Sequence, residues 1–477
     1  MAQTDKGDTL TTIYVDLTDV MLFLRRGGTL TGIQRVEINA LWEIMRLPRK
    51  LPFKGLIVQR NGACHAFDLG FLAEQAQFDA EDFHRRGCQD ISDRVPDDIR
   101  LKQRMAAHPG PGTWRRIQRQ LVKIGAHLSA RFNPAPLVEQ GLLRPPATHP
   151  SQRGVERHIA LRPTDVYVCL GTAWNRDWST QVAERHAARG GKVIQMIHDL
   201  VPVLRTDLHE GSVNSAFGRW LEKMAHCTTQ FVCVSQNTAR DLAGYLQERG
   251  LQTPIRVTPL AHEFKGQPRG ARPPLPANAR PALRELDGQP FVICVGSVEG
   301  RKNGARLIDA WVQALQATGR TDVTLVFSGR PGWLAEAFSA ALARATTSGV
   351  RIQVIEGCTD DDLAWLYSHA LFSAYPSLYE GWGLPVGESL WFDTPCLASN
   401  ATSIPEVGGD LARYFSPLDT PAMTAALTWA LTRPAELEQL RQAIRQAPLR
   451  AWRDHGRDLL EACQDHAQGT SSTQRAA

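Results

Sequence analysis

Two glutamates, Glu380 and Glu388, stand near the two ends of a glycine-spaced stretch, Pro376-Ser-Leu-Tyr-Glu-Gly-Trp-Gly-Leu-Pro-Val-Gly-Glu-Ser-Leu390. An apolar run at 371–375 reads as a strand leading into it, and a helix is expected from about Leu384. Carboxylates so placed can accept hydrogen bonds from several sugar hydroxyls, which are donors in search of anionic acceptors. Gly381 and Gly383 let backbone approach a ligand closely, and free amides at the helix start can receive phosphate oxygens. The chemistry suggested is that of a sugar joined to phosphate. On these residues alone a plainer reading stays open, with Glu388 a solvated helix residue and the glycines turn formers.

His198 follows the run Lys192–Ile197 at what would be the carboxyl end of a strand, where open α/β sheets bind ligands. It could position a reacting group, or pack as a neutral imidazole. Asp360-Asp361-Asp362 contains an Asp-x-Asp pattern that could suggest a metal. Thr359 before it and Leu363-Ala-Trp-Leu-Tyr after it make a capped helix start the better account, so no metal site is expected. The nine cysteines include no C-x-x-C pair and several lie in apolar runs, as small core residues do in a reducing compartment. Most of the 12 tryptophans fall in core periodicity, Trp382 in the motif loop being the exception.

The elements that must position these groups alternate along the chain. Strands are expected at 12–17, 55–60, 63–68, 166–171, 192–197, 231–235 and 255–259, with Asn61-Gly62 as a hairpin turn. A second series is expected at 291–296, 323–328, 351–355, 371–375, 395–399 and 412–416, with helices at 304–318, 333–346, 361–369 and 384–392. Apolar runs separated by helices predict parallel sheets covered on both faces. The fold class is therefore α/β, with two Rossmann-like doubly wound domains facing across a cleft. The divisions are an N-terminal domain 1–270 interrupted by an insertion at about 80–150, a proline-rich linker 271–288, a C-terminal domain 289–440, a helix 441–463 and a flexible tail 464–477.

Composition narrows the function. With 54 Lys plus Arg against 49 Asp plus Glu in 477 residues, the net charge of +5 does not describe a nucleic-acid binder. The first residues lack the basic and apolar blocks of a secretory leader, and no apolar run approaches the roughly 18 residues of a spanning helix. A cytoplasmic address is expected. Residues 113–132 carry Arg115, Arg116, Arg119, Lys123 and Arg131 and no acid, with Trp114, Ile117, Leu121, Ile124 and Leu128 on one helical face. Such a helix would suit an anionic membrane surface, at the inner face of the cell membrane, or would pack its apolar stripe on the first domain.

Glu380 through Glu388 resembles the E-x7-E motif of retaining glycosyltransferases of family 4, in the form Glu-Gly-Trp-Gly-Leu-Pro. Thr31-Gly-Ile-Gln-Arg-Val36, His198-Asp-Leu-Val-Pro202, Val234-Ser-Gln-Asn-Thr238, Val295-Gly-Ser-Val-Glu-Gly-Arg-Lys-Asn303 and Thr402-Ser-Ile-Pro-Glu406 are similar to further stretches of that family, in the right order. The resemblance implies the GT-B fold, with two Rossmann-like domains and a C-terminal helix crossing back to the first. It implies that Arg301 and Lys302 neutralise a donor diphosphate, without a metal and with no cofactor beyond the nucleotide sugar. It further places His198 and Glu380 near the transferred sugar, and Glu388 on the ribose. Gly383 and Leu384 would offer amides to phosphate or sugar, while Gly32, with Ile33 and Arg35, would close over the diphosphate. One departure is that Gly296-Ser297 stands where many members have Gly-Arg, leaving Arg301 to serve for two arginines.

The variants most resemble mannosyltransferases of bacterial polysaccharide and O-antigen assembly. They imply GDP-mannose as donor and a growing, lipid-linked glycan as acceptor. Two alternatives are a sugar-nucleotide epimerase of similar fold and a sugar-nucleotide-binding module without turnover. An epimerase would need no acceptor; a binding module would keep nucleotide affinity but consume no donor.

Overall fold

The computed structural model describes residues 11–25, 32–87, 155–174, 176–209 and 211–469. The basic stretch 113–132, most of the expected insertion 80–150, and the chain from 470 onward lie outside the described residues. None of the described helices is long and apolar enough to cross a membrane.

Two sheets organise the chain. The first comprises β1 (Ile13–Asp16), β2 (Phe53–Val58), β3 (Cys64–Asp68), β4 (Val155–Ile159), β5 (Val166–Cys169), β6 (Lys192–Ile197), β7 (Gln230–Cys233) and β8 (Ile255–Val257), in the order β4-β3-β2-β1-β5-β6-β7-β8. Its centre is parallel, with Ile13 opposite both Phe53 and Val166. The runs Ile-Tyr-Val-Asp and Val-Tyr-Val-Cys are buried throughout, as strands covered on both faces must be. Asn61-Gly62 makes the expected hairpin, so β3 pairs antiparallel with β2, and Gly62 adopts φ 80° to close it. Strand β4 was not expected. Its sequence, Val-Glu-Arg-His-Ile, lies just beyond a stretch that breaks the strand–helix rhythm, and it pairs antiparallel with β3 across a register shift at Cys64/Ala66.

The second sheet comprises β9 (Phe291–Val295), β10 (Thr324–Ser328), β11 (Ile352–Ile355), β12 (Ser373–Tyr375), β13 (Cys396–Ser399) and β14 (Ala412–Phe415), all parallel, in the order β11-β10-β9-β12-β13-β14. This is the doubly wound order, whose topological switch point lies between β9 and β12. One face is covered by Leu307, Trp311, Met423 and Leu427 with Phe327 of β10, the other by Phe264, Leu283, Trp365, Tyr367 and Phe392. Phe291 and Trp365 stack at 5.7 Å.

By its packing the chain divides into two compact units: Met1–Gln195 with Cys227–Thr229 and Cys463–Ser471, and Met196–His226 with Gln230–Ala462 and Ser472–Ala477. The proline-rich stretch expected as a linker is packed chain instead. Ala279, Leu283 and Leu286 are buried in the second core, Pro281–Leu286 forms a short helix, and Trp391 donates from Nε1 to Gln267 O at 2.9 Å. Proline content reports backbone stiffness, whereas the interspersed Ala and Leu decide burial. The expected helix 441–463 is two helices, Pro434–Gln446 and Trp452–Gln468, because Ala447 before Pro448 is forced to an extended ψ of 145°. The second runs on past 463 into the expected tail. There Lys192 Nζ satisfies the terminal carbonyls of His466 and Ala467 at 2.7 and 2.9 Å. The eight described cysteines form no disulfide.

Glu37, on the helix Ile33–Arg46, is fully buried against Gly171, and among the described residues neither of its carboxyl oxygens has a hydrogen-bond partner. Burial, then the nearby charges of Asp19 and Asp16, push its pKa well above the usual carboxylate range, with Arg176 opposing. A group whose folded pKa is raised stabilises fully only below its unfolded value, and that contribution is lost as pH rises through the folded one. Glu37→Gln should therefore be more thermostable than wild type at pH 8, with the gap closing at pH 5. About 1 kcal/mol corresponds to roughly 2–4 °C in melting temperature. Parallel Tm–pH curves for the two proteins would contradict the assignment.

Candidate active site

The switch point of the second sheet gathers the charged residues of the sequence motifs. After β9 the chain passes Gly296 and makes a short turn, Gly300–Lys302, ending at Asn303 in the left-handed conformation. Asn303 braces this turn by donating from Nδ2 to Pro376 O at 3.1 Å and Pro417 O at 2.8 Å. Leu378 N donates to Arg301 O at 2.9 Å, so the basic turn and the loop after β12 are one hydrogen-bonded body.

Glu380 lies at its centre. Its Oε1 accepts from Lys302 Nζ at 2.6 Å, Ser377 Oγ at 2.6 Å and Tyr375 OH at 2.9 Å, and its Oε2 pairs with Arg301 at 2.7 Å. Burial by itself would raise its pKa, but Arg301 and Lys302 prevail and hold it down at about 2. Arg301 is largely shielded from water, which works against its charge. Glu380, Glu299 and Asp199 outweigh that and raise its pKa above the usual guanidinium range. Its second arm donates to Glu299 Oε1 at 2.9 Å and its first to Tyr379 O at 2.8 Å. The expected basic pair is thus already balanced by two carboxylates. A pocket beside it is lined by Gly296, Ser297, Glu299, Lys302 and Tyr375, and Lys302 spans from Glu380 to this pocket.

The motif loop continues through two glycines with separate duties. A Cβ at Gly381 would lie 1.7 Å from His198 O, so the chain after β6 is packed directly on the loop. Gly383, at φ 104°, starts the helix Leu384–Trp391, whose N-terminus has no side-chain cap. Ser403 Oγ donates to Glu380 O at 2.8 Å and Trp382 O at 3.0 Å, fixing the loop's carbonyls. Trp382 is buried rather than presented for stacking.

His198, Arg301, Lys302, Glu380, Gly383 and Leu384 therefore lie in one neighbourhood of one unit. Glu388 is on the same helix but buried, where it accepts from Tyr367 OH at 3.1 Å. Gly32 and Arg35 belong to the other unit, at the start of the helix Ile33–Arg46, with Gly32 at φ 50°. Asp360–Asp362 begins a helix with a full capping box from Thr359, and no metal-holding group of His, Cys, Asp or Glu occurs among the described residues. The sequence reading gave no role to Glu299, Tyr375, Ser377 or Ser403. Glu299, two residues before Arg301, was the one with a local signal.

The part of the chain that carries this site is similar to known proteins. Residues 277–447 match the family model for glycosyl transferases group 1. The fold is GT-B, two α/β parallel-sheet domains: the solved alpha,alpha-trehalose 6-phosphate synthase from Burkholderia multivorans aligns with 98% of this chain and 100% of its own, at TM-score 0.54 and 15% identity. Among curated proteins, O-antigen chain mannosyltransferase B of Escherichia coli is 35% identical over 161 residues, 33% of this chain and 42% of that one. Serotype-specific mannosyltransferase WbdA of Escherichia coli is 24% identical over 273 residues, 56% of this chain and 33% of that one. The chain spans less than half the length of these curated relatives.

The depressed pKa of Glu380 makes a second stability prediction. A carboxylate held at about 2 contributes stability that is present above its ordinary value and lost as pH falls through the folded one. Glu380→Gln should cost on the order of 3 kcal/mol at pH 7, by leaving the half-buried Arg301 and Lys302 short of a counter-charge. In urea titrations that difference should shrink steadily from pH 4.5 towards pH 2. A pH-independent difference would mean that the carboxylate charge is not what binds the turn and the loop together.

Proposed function

We propose that this chain is a retaining glycosyltransferase of family 4 that moves a hexose, mannose in the first instance, from GDP-mannose to a growing, lipid-linked bacterial glycan. The observation that carries this reading is the ionised Glu380 held between Arg301 and Lys302, beside an uncapped helix start at the switch point of a doubly wound sheet. That is a preorganised site for an anion with a polar body attached. The similarity of part of the chain to mannosyltransferases of O-antigen assembly supports the choice of sugar and product class.

In this reading the amides of Gly383 and Leu384 and the Lys302 ammonium receive the donor's diphosphate. Arg301, already paired with Glu380, Glu299 and the Tyr379 carbonyl, fixes Glu380 rather than touching phosphate. Glu380 takes a hydroxyl of the transferred sugar, Glu388 the ribose, and His198 the sugar from the side of Gly381. The bond between the anomeric carbon and the phosphate oxygen breaks, and the acceptor hydroxyl oxygen bonds to that carbon on the same face. Its proton passes to the departing phosphate, so configuration is retained. Lys302 supplies positive charge where the leaving group gains negative charge, and no divalent metal is required. The acceptor's lipid would be met at the inner face of the membrane, to which 113–132 would bind.

Three measurements test this. A thermal-shift screen of nucleotides should show stabilisation by GDP above that by UDP, since a ligand that binds only the folded state raises Tm by mass action. A UDP-selective shift would overturn the mannosyl donor. Donor consumption without acceptor would point to an epimerase, and binding without consumption to a sensor. Lys302→Ala should lower turnover about a hundredfold, roughly 3 kcal/mol of transition-state stabilisation, while EDTA leaves wild-type turnover unchanged. Sedimentation with anionic vesicles, weakened when Arg115, Arg116 and Arg119 are replaced by Ser, tests the membrane step.

A further inference from the structure

We propose that Tyr379, Asp241 and Glu406 form a latch that sets His198 against the Glu380 loop, which makes them positioning residues for the transfer step. The proposal rests on the functional reading above, but its geometry stands apart from it. Tyr379 immediately precedes Glu380. Its ring packs with Val201 and Leu208, just downstream of His198, and its hydroxyl donates to Asp241 on the helix Gln236–Gln247. The same Asp241 oxygen accepts from Asn237 Nδ2 at 2.8 Å, which ties the hydroxyl to the first turn of that helix.

That first turn is held from a second direction. Glu406 receives the backbone amides of Gln236 and Asn237, both at 2.7 Å, while Ser235 Oγ takes the next amide, Thr238 N, at 3.0 Å. A carboxylate here satisfies two otherwise orphaned donors and complements the helix dipole. Once placed, Thr238 Oγ1 lies 3.3 Å from both His198 O and Gly381 O. The His198 carbonyl is also the group whose close approach forbids a side chain at residue 381. One helix turn, gripped by Tyr379 through Asp241 and by Glu406, thus sets the distance between the chain bearing His198 and the loop bearing Glu380. None of the three gripping side chains is placed on the proposed substrate, so their effect on chemistry would pass through His198 and Glu380. Displacements of an ångström at reacting groups are enough to cost large factors in rate.

The decisive variant is Tyr379→Phe, which keeps the ring packing and removes one hydroxyl. Positioning predicts that kcat falls tenfold to a hundredfold while the KM for GDP-mannose and the affinity for GDP stay within twofold. Asp241→Asn should act alike. The double variant Tyr379→Phe/Asp241→Asn should be no worse than the worse single one, because both remove the same bond. Glu406→Gln, which keeps one acceptor oxygen, should lose less than Glu406→Ala. Wild-type kcat in Tyr379→Phe, additive losses, or a loss confined to nucleotide affinity would each overturn the latch. If the wild-type protein turned over no nucleotide sugar, the functional reading would fail, and hydrogen exchange would still decide the latch. Amides of 236–241 and 379–383 should exchange about tenfold faster in Tyr379→Phe, with those of 291–295 unchanged; equal protection would overturn it.

Discussion

A buried carboxylate facing two half-buried cations is expensive to assemble and more expensive to half-assemble. Taking the ions out of water costs several kcal/mol each, and removing one partner strands the other in a poorly solvating interior. Glu380, Arg301 and Lys302 are held to this arrangement by supplementary bonds from Tyr375, Ser377, Glu299 and the Tyr379 carbonyl. Their geometry requires that the turn after β9 and the loop after β12 lie side by side. That in turn requires the strand order that makes those two strands neighbours. The parallel sheet, the Asn303 brace and the apolar cover on both faces serve that adjacency. The same low-dielectric setting that makes the cluster costly keeps its charges oriented before any ligand arrives.

The second constraint is steric. At Gly381 two backbones meet so closely that a methyl group has no room, and the hydroxyls of Thr238 and Tyr379 make hydrogen bonds beside the contact. Hydrogen bonds at such a place define one distance and one orientation, where apolar packing would tolerate several. The first unit holds a contrasting device. Glu37 is buried near Asp16, Asp19 and Arg176 at the carboxyl end of its sheet, its oxygens without a hydrogen-bond partner among the described residues, and it is driven towards the neutral form. Two buried glutamates in one chain are therefore pushed in opposite directions, Glu380 by cations within 3 Å and Glu37 by burial and like charge.

Local pattern made much of the fold legible. The helix Gly304–Thr318 and the strands β6 and β13 fall where apolar periodicity puts them, because strand and helix periods depend only on near neighbours. The hairpin at Asn61-Gly62 and the capped start at Thr359 were legible for the same reason, since each is closed by atoms within three residues. The stretch 271–288 packs where a linker is expected because composition cannot say whether Leu283 and Leu286 find a core. The chain's last helix outran its polar sequence because Lys192, far away in sequence, caps it.

The candidate site divides along the same line. Residue types, their spacing and the glycines were set by the sequence alone, and so were the family resemblance and the expectation of sugar and phosphate. Only the tertiary structure decided that Arg301 and Lys302 spend their charge on Glu380 and Glu299, that Glu388 and Trp382 are buried, and that Tyr379 and Glu406 grip the distant helix Gln236–Gln247. Coulomb energy, desolvation and hydrogen bonding depend on separation in space. Lys302 and Glu380 are 78 positions apart along the chain and become neighbours only through the order of the strands.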